Sequence, residues 1–216
     1  MNGQPISDRP ITPGRATLVV ATAALLVLLI LSGLRPYDRL TWWLEVLPVI
    51  LILPVLWYSH GRFPLTTLLY VAIFVHALVL MLGGAHTYAR VPLGFWIADL
   101  LDLERNPYDK IGHFFQGLVP ALAAREILMR GAFVRGRHML AFIVVCIVLA
   151  VSATYELVEW AGALALGQGA EEFLGTQGDV WDTQSDMFCA LIGALVSLLV
   201  FARMHDRQLR SLTPTR

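Results

Sequence analysis

Histidine and acidic residues gather in three short segments of the chain, each at the end of an apolar stretch. Within each segment the spacing is three or four residues, which places the side chains on one face of a helix. Ionisable groups are costly at the boundary of a lipid bilayer, so a place where they gather is the first candidate for a functional site. The segments contain Asp109, Lys110 and His113; Glu156 and Glu159; and Asp179, Asp182 and Asp186.

One histidine with up to five carboxylates is a ligand set that suits a divalent cation. Oxygen-rich sets favour Mg²⁺, Mn²⁺ or Ca²⁺, whereas Zn²⁺ would use His113 with two acids and keep one position for water. Such a cation could activate water or polarise a phosphoryl oxygen of a lipid-linked substrate. The predicted metal ligands are His113, Glu156, Asp182 and Asp186.

A reaction without metal is a second interpretation of the same residues. His113 would act as a general base, and Asp109 or a glutamate such as Glu156 would orient its ring. The predicted catalytic residues are therefore His113, Asp109 and Glu156.

Two interpretations without catalysis stay open. In a structural or envelope-stress accessory protein, Lys110 and Arg125 would neutralise nearby acids, and the other polar groups would form a network that joins three helices. In a small-solute or ion transporter, His113 and the carboxylates would bind or relay the transported species. The segments Leu140–Ser152 and Leu191–Phe201 contain no acidic or basic residue to continue such a pathway.

The composition identifies the class of protein that holds these residues. Hydrophobic residues make up 57% of the 216 residues, the mean hydropathy is +0.66 and charged residues are 15%, against roughly 25% in soluble domains. We therefore predict an all-α, polytopic membrane protein, because a helix satisfies its backbone hydrogen bonds within one segment in lipid. A span needs about 20 mostly apolar residues, and six stretches meet this need: Ala16–Leu34, Thr41–Tyr58, Leu65–Gly84, Tyr108–Met129, Leu140–Leu166 and Ser185–Met204.

Arginines are unevenly distributed between the two sides of this predicted topology. With the N-terminus inside, the cytoplasmic segments contain ten arginines and the outer segments four. The positive-inside rule therefore predicts that both termini are cytoplasmic. All three polar segments then lie at the outer ends of the last three spans. The predicted partners are membrane lipids, and nucleic-acid binding has no support beyond scattered arginines.

Two segments that connect the predicted spans are expected to cover the polar segments. Pro92–Leu103 is typical of a short amphipathic helix at the outer interface, with a loop packed on the span ends as the alternative. Gly167–Thr183 is glycine-rich and is predicted to be a tight cap. It lacks the lysine and the preceding strand of a phosphate-binding nucleotide loop.

The remaining histidines, cysteines and one charged pair are assigned to solvent or structure. His76 is predicted to hydrogen-bond between helices, and His86 is a weaker candidate for the site from the outer loop. A structural role is predicted for Arg125 with Glu126, and apolar packing for Cys146 and Cys189. The histidines predicted to be solvated at cytoplasmic ends are His60, His138 and His205.

Several motifs in the C-terminal half carry a resemblance to a known family. They are the runs YDKIGHFFQG at 108–117, ARE at 124–126, YELVEW at 155–160 and LGTQGDVWDTQSDM at 174–187. With these motifs the chain resembles the YjdF-like family of bacterial inner-membrane proteins, which implies six spans in the inner membrane and no particular reaction.

A more distant likeness is to VanZ-like membrane proteins, which are linked to glycopeptide-antibiotic tolerance. The shared pattern D-K-x-x-H-F falls on Asp109, Lys110, His113 and Phe114, and the acids that open or close later spans fall on Glu156, Asp182 and Asp186.

Overall fold

The computed structural model describes residues 12–166 and 177–212, and the regular elements in these two ranges are all helical. This confirms the all-α prediction. A 3-10 helix at Tyr88–Arg90 follows the third α-helix, and a π-helical segment at Ser197–Phe201 separates the last two. The α-helices are α1 (Arg15–Leu34), α2 (Arg39–His60), α3 (Thr67–His86), α4 (Pro92–Leu101), α5 (Tyr108–Arg130), α6 (Arg137–Leu166), α7 (Asp182–Val196) and α8 (Ala202–Leu212).

Five helical segments in the described ranges are long and apolar enough to cross a membrane. They are Arg15–Leu34, Arg39–His60, Thr67–His86, Arg137–Leu164 and Asp182–Leu212, the last of which runs through α7, the π-helical segment and α8. The fourth predicted span, α5, is 23 residues long but is not among them. Its polar residues lower the hydropathy, and most of them are buried inside the protein.

Helix α5 is the central element of the bundle and packs against α3, α6 and α7. Its closest approach is to α7, where Gly117 and Gly193 face the other helix. A Cβ atom on Gly117 would overlap the backbone of Ala190, and one on Gly193 would overlap the backbone of Phe114. Small residues let helix backbones approach closely within a membrane. This crossing brings the first turns of α5 and α7 side by side.

On another face of α5, the aromatic side chain of Tyr88 packs between α3 and α5. The ring of Tyr88 occupies the space that Cβ atoms on Gly83 and Gly112 would need. Burial raises the pKa of the Tyr88 hydroxyl well above its ordinary value, so this group stays a neutral hydrogen-bond donor. Nearby, Asp38 caps α2 by accepting a hydrogen bond of 2.7 Å from the backbone N–H of Thr41, and this bond lowers the pKa of Asp38.

An apolar layer crosses the middle of the bundle. Leu69 of α3 packs with Leu118 and Leu122 of α5, and Ala121 packs with Val144 of α6 on the opposite face. The layer separates the polar residues at the start of α5 from those near its end.

The predicted amphipathic segment is a helix, α4, so the alternative of an irregular loop is wrong. Gly94 and Ala98 are buried, whereas Leu93, Trp96 and Leu100 are exposed by 44%, 64% and 69%. Such an exposed apolar face suits the headgroup region, and the interfacial placement stays a prediction. Most of the predicted glycine-rich cap lies outside the described residues.

Candidate functional site

The three polar segments of the sequence meet at one end of the bundle. Asp109 and His113 lie in the first two turns of α5, Glu156 lies near the end of α6, and Asp182 and Asp186 lie in the first two turns of α7. The positive ends of the α5 and α7 dipoles favour acids in these first turns. We call this group, together with Glu45, Lys110, Tyr155 and Glu159, the His113 cluster.

His113 is at the centre of the cluster, and its side chain is 5% exposed. Its Nδ1–H donates to Oε1 of Gln116 over 3.2 Å. Its Nε2 points between two carboxylates, 3.5 Å from Oδ1 of Asp109 and 3.9 Å from Oδ2 of Asp186. Donor atoms of Asp109, His113 and Asp186 all lie within 4.8 Å of one another, so these three residues could hold a metal ion.

Lys110 fixes the two acids of α7. Its Nζ lies 2.8 Å from Oδ1 of Asp182 and 2.6 Å from Oδ1 of Asp186. Asp182 also pairs with Arg105 over 2.9 Å through the same oxygen. Asp186 therefore uses one oxygen for Lys110 and presents the other to His113, whereas Asp182 is held by two cationic side chains.

Glu156 faces the same histidine from α6. Its Oε1 lies 3.8 Å from Nδ1 of His113, and the side chain is 9% exposed. This oxygen is buried and makes no hydrogen bond within the described part of the chain. A buried oxygen without a partner is costly, so the position calls for a proton or a cation.

A cavity of about 170 Å³ adjoins His113 between α2, α3, α5 and α6. Asp109, Gln116 and Glu159 line it together with two residues that the sequence reasoning did not assign, Glu45 and Tyr155. The Tyr155 hydroxyl donates to Oε2 of Glu45 over 3.3 Å. Glu45 is the one acidic residue of α2, and an acid inside a span is a signal that could have found it.

His76 also lines this cavity, and its predicted role needs correction. The ring stacks on Phe115 with centroids 6.1 Å apart. Its Nε2 is buried without a hydrogen-bond partner among the described residues. The predicted bond between helices is therefore missing at this nitrogen, because the neighbouring surface of α5 is an aromatic ring. His86 does not line the cavity.

A second polar group, near the other end of α5, is centred on Glu126, which is fully buried. Oε1 of Glu126 accepts from Arg130 over 2.9 Å and from the Thr66 backbone N–H over 3.1 Å. Oε2 accepts from the Thr66 hydroxyl over 2.8 Å and from Nε2 of His205 over 3.1 Å. We call these residues, with Arg125 and Asp206, the Glu126 network.

The prediction that His205 is solvated is wrong, because its exposure is 0%. Arg125 donates to Nδ1 of His205 over 3.2 Å, so the ring proton lies on Nε2 and is donated to Glu126. Arg125 also pairs with Asp206 over 2.5 Å. The sequence reasoning missed the bond between Glu126 and His205 because these two residues are 79 positions apart. Of the other two histidines predicted to be solvated, His138 is exposed and His60 bonds to the Tyr70 hydroxyl over 2.9 Å.

Comparison with known proteins gives one family and one close relative. The model of a family described as predicted membrane protein (DUF2238) matches residues 17–207. The inner membrane protein YjdF of Escherichia coli K12 is 61% identical over 195 residues, which cover 89% of this chain and 93% of the relative. No solved structure matches. The likeness to VanZ-like proteins stays a prediction.

Proposed function

The chain belongs to the DUF2238 family of predicted membrane proteins, and we propose that it is a six-span inner-membrane protein that binds a divalent cation at the His113 cluster. The cation would be held by Asp109, His113 and Asp186. Of the predicted metal ligands, this set keeps His113 and Asp186, whereas Asp182 supports the site through Lys110 and Glu156 faces the other ring nitrogen of His113.

The observation that carries the proposal is the direction of the His113 ring. Because Nδ1 donates to Gln116, Nε2 is the atom that faces Asp109 and Asp186. Ligands about 2 Å from one tetrahedral ion lie about 3.3 Å apart, close to the 3.5 Å and 3.9 Å separations of these atoms. The bond to Gln116 is also the kind of outer contact that orients a metal-binding histidine.

The charges of the cluster support the same conclusion. Six acids, Glu45, Asp109, Glu156, Glu159, Asp182 and Asp186, share this region with Lys110 and Arg105 as the fixed cations that contact them. Both of these cations bind the α7 acids. Unpaired carboxylates at low dielectric are costly. A divalent cation would offset the negative charge that remains around His113.

The cavity provides space for a substrate beside such a cation. At about 170 Å³ it is larger than the roughly 30 Å³ share of one water, and Asp109, His113 and Glu159 contribute polar groups to a wall that is otherwise mostly apolar. A divalent cation supplies Lewis acidity toward a phosphoryl or carbonyl oxygen. The polar headgroup of a membrane lipid is the substrate class that could reach this depth from the bilayer.

The distribution of arginines supports an orientation with both termini in the cytoplasm and the His113 cluster facing outward. In this arrangement α5 is the fourth of six spans, with its polar residues turned to its neighbours. The relative of this chain in Escherichia coli is named as an inner membrane protein. Reporter fusions after Arg137 should indicate the cytoplasm, and an insertion between residues 167 and 178 should indicate the outer side. The reverse pattern would place the His113 cluster at the inner face.

Metal content of the detergent-purified protein, measured by elemental mass spectrometry, tests the cation proposal. We expect about one divalent ion per chain in the wild type and a large loss in His113→Gln and Asp186→Asn. Glu126→Gln is the matched control, because Glu126 is equally buried at the other end of α5. Equal metal content in all four proteins, or none in folded wild type after incubation with Mn²⁺ or Zn²⁺, would contradict the proposal.

A structural role is the second candidate, and the position of Lys110 favours it. Nζ of Lys110 on α5 joins two acids of α7, so the cluster also ties these helices together. If this were its whole purpose, cellular activity of His113→Gln would fall only as far as the amount of folded protein falls. The transporter alternative stays a prediction, and the apolar layer around Leu118 and Leu122 separates the two polar regions.

A further inference from the structure

An open groove of about 910 Å³ lies on the surface between the start of α6 and the end of α7 with the following π-helical segment. It lies at the Glu126 end of the bundle, away from the His113 cluster. The description of the family gives it no role, and the proposed cation site does not include it. One side of the groove is basic and the other is apolar.

The basic side is formed by Arg137 and His138 of α6 and Arg203 of α8. All three side chains are exposed, and within the described residues none of them has an acidic partner. Arg125 and Asp206 complete this side, but they neutralise each other through their ion pair. Arg137 and His138 are also the first residues of a 30-residue helix, whose free N–H groups and dipole attract an anion. The groove thus presents positive charge that nothing in the described chain offsets.

The apolar side is formed by side chains that project from the bundle. Phe142 on α6 is 64% exposed and Leu199 in the π-helical segment is 78% exposed, and Val145 and Leu198 lie beside them. The π-helical turn widens the helix at this point, and π-helical turns occur frequently at functional sites. A soluble anion would leave this wall unused, whereas an acyl chain would cover it.

We propose that this groove binds one anionic phospholipid of the surrounding bilayer. The phosphate contacts Arg137 at the start of α6 and Arg203 of α8, and an acyl chain lies along Phe142 and Leu199. Basic pockets between helices on the cytoplasmic side recognise anionic headgroups, and the charge and the apolar wall here match the two halves of such a lipid. The binding does not depend on the cation at the His113 cluster.

Lipid retention measured by native mass spectrometry tests this proposal. The full chain, purified in a neutral detergent, is mixed with phosphatidylglycerol or phosphatidylcholine of the same acyl length. We expect selective retention of phosphatidylglycerol by the wild type. The double variant Arg137→Gln, Arg203→Gln should bind it about thirtyfold more weakly, since each basic contact contributes on the order of a fivefold change. Both side chains are exposed, so the variant should fold, as size-exclusion chromatography would verify.

The matched control is the double variant Arg207→Gln, Arg210→Gln. It removes the same amount of charge, from later turns of the helix that carries Arg203, but neither residue lines the groove. An equal loss of binding in this control would reduce the effect to general surface charge and overturn the site. Displacement of the lipid by millimolar inorganic phosphate would identify a soluble-anion site instead, and equal retention of phosphatidylcholine would also contradict the proposal. Leu199→Ser should weaken retention without changing the preference for phosphatidylglycerol, and unchanged retention in this variant would overturn the proposed acyl contact.

Discussion

At one end of α5, Glu126 accepts hydrogen bonds from Thr66, Arg130 and His205, all between 2.8 and 3.3 Å. At the other end, His113 faces carboxylates at 3.5 to 3.9 Å, and one oxygen of Glu156 makes no hydrogen bond to any residue that the structure describes. Both groups are buried and both contain a histidine beside acids. Among the described residues, the carboxylate of Glu126 is therefore fully hydrogen-bonded, whereas the His113 cluster has longer contacts and one buried oxygen without a partner.

The surroundings of the two groups also differ, because the Glu126 network is packed against neighbouring residues and the His113 cluster lies beside a cavity. Arg130 of the Glu126 network lies over the ring of Phe63 and donates to the carbonyl of Pro64, which ties the loop between α2 and α3 to α5. The His113 cluster opens into the cavity that Glu45 and Tyr155 share. Full hydrogen bonding is typical of a structural group, and a buried group without full hydrogen bonding beside a cavity is consistent with the cation binding that we propose.

Removing the centre of the Glu126 network should have the largest effect. Glu126→Ala leaves the buried His205 and the partly buried Arg130 without their common acceptor, so we expect the free energy of unfolding to fall by about 3–5 kcal/mol. Thermal unfolding in detergent, followed by tryptophan fluorescence, would measure the loss. Asp109→Ala is the comparison at the other end, and a loss as large in that variant would remove the distinction between the two regions.

The crossing of α5 and α7 can be broken without touching a polar group. Gly117→Ala forces a Cβ atom into the backbone of Ala190, so we expect a loss of about 1–3 kcal/mol. Because the crossing positions Asp186 beside His113, metal content should fall as well. Gly61→Ala is the control, since a Cβ there meets nothing within 4 Å. Wild-type stability and metal content in Gly117→Ala would contradict the described packing.

The hydroxyl of Thr66 offers a smaller test of the difference between the two ends of α5. Thr66→Val keeps the shape of the side chain but removes the donor to Glu126 and the cap that accepts from the N–H of Leu69. We expect unfolding to become easier by about 1–2 kcal/mol, with unchanged metal content. Loss of metal from this variant would show that the two ends of α5 are not independent.

The smallest change in stability is expected at Glu156. Glu156→Gln removes the negative charge of a carboxylate whose Oε1 has no hydrogen-bond partner in the described ranges, so the free energy of unfolding should stay within about 1 kcal/mol of the wild-type value or increase. The same variant should bind the divalent ion more weakly. A loss of several kcal/mol would show that Glu156 is a member of a structural network like that of Glu126.

The helices could be predicted closely from the sequence, since hydropathy and the charged residues at span ends determine where each helix begins and ends. The convergence of Asp109, Glu156 and Asp186 also followed from the order of the spans. The pairing of Glu126 with His205 did not, because a buried acceptor and a residue near a terminus carry no local sign of each other. The position of Glu45 in the cavity beside His113 was missed for a related reason. It depends on how α2 packs against α5 and α6, which the sequence does not indicate.

Cation-dependent stability tests the central claim most directly, because it links the site to the folded state of the whole protein. A ligand at 100 times its dissociation constant stabilises the folded state by about 2.7 kcal/mol. The unfolding temperature of the wild type and of Thr66→Val should therefore rise with added Mn²⁺ or Zn²⁺ and fall again with a chelator, whereas His113→Gln and Asp186→Asn should not respond. A response of the same size in His113→Gln and the wild type, or no response in the wild type, would contradict the account.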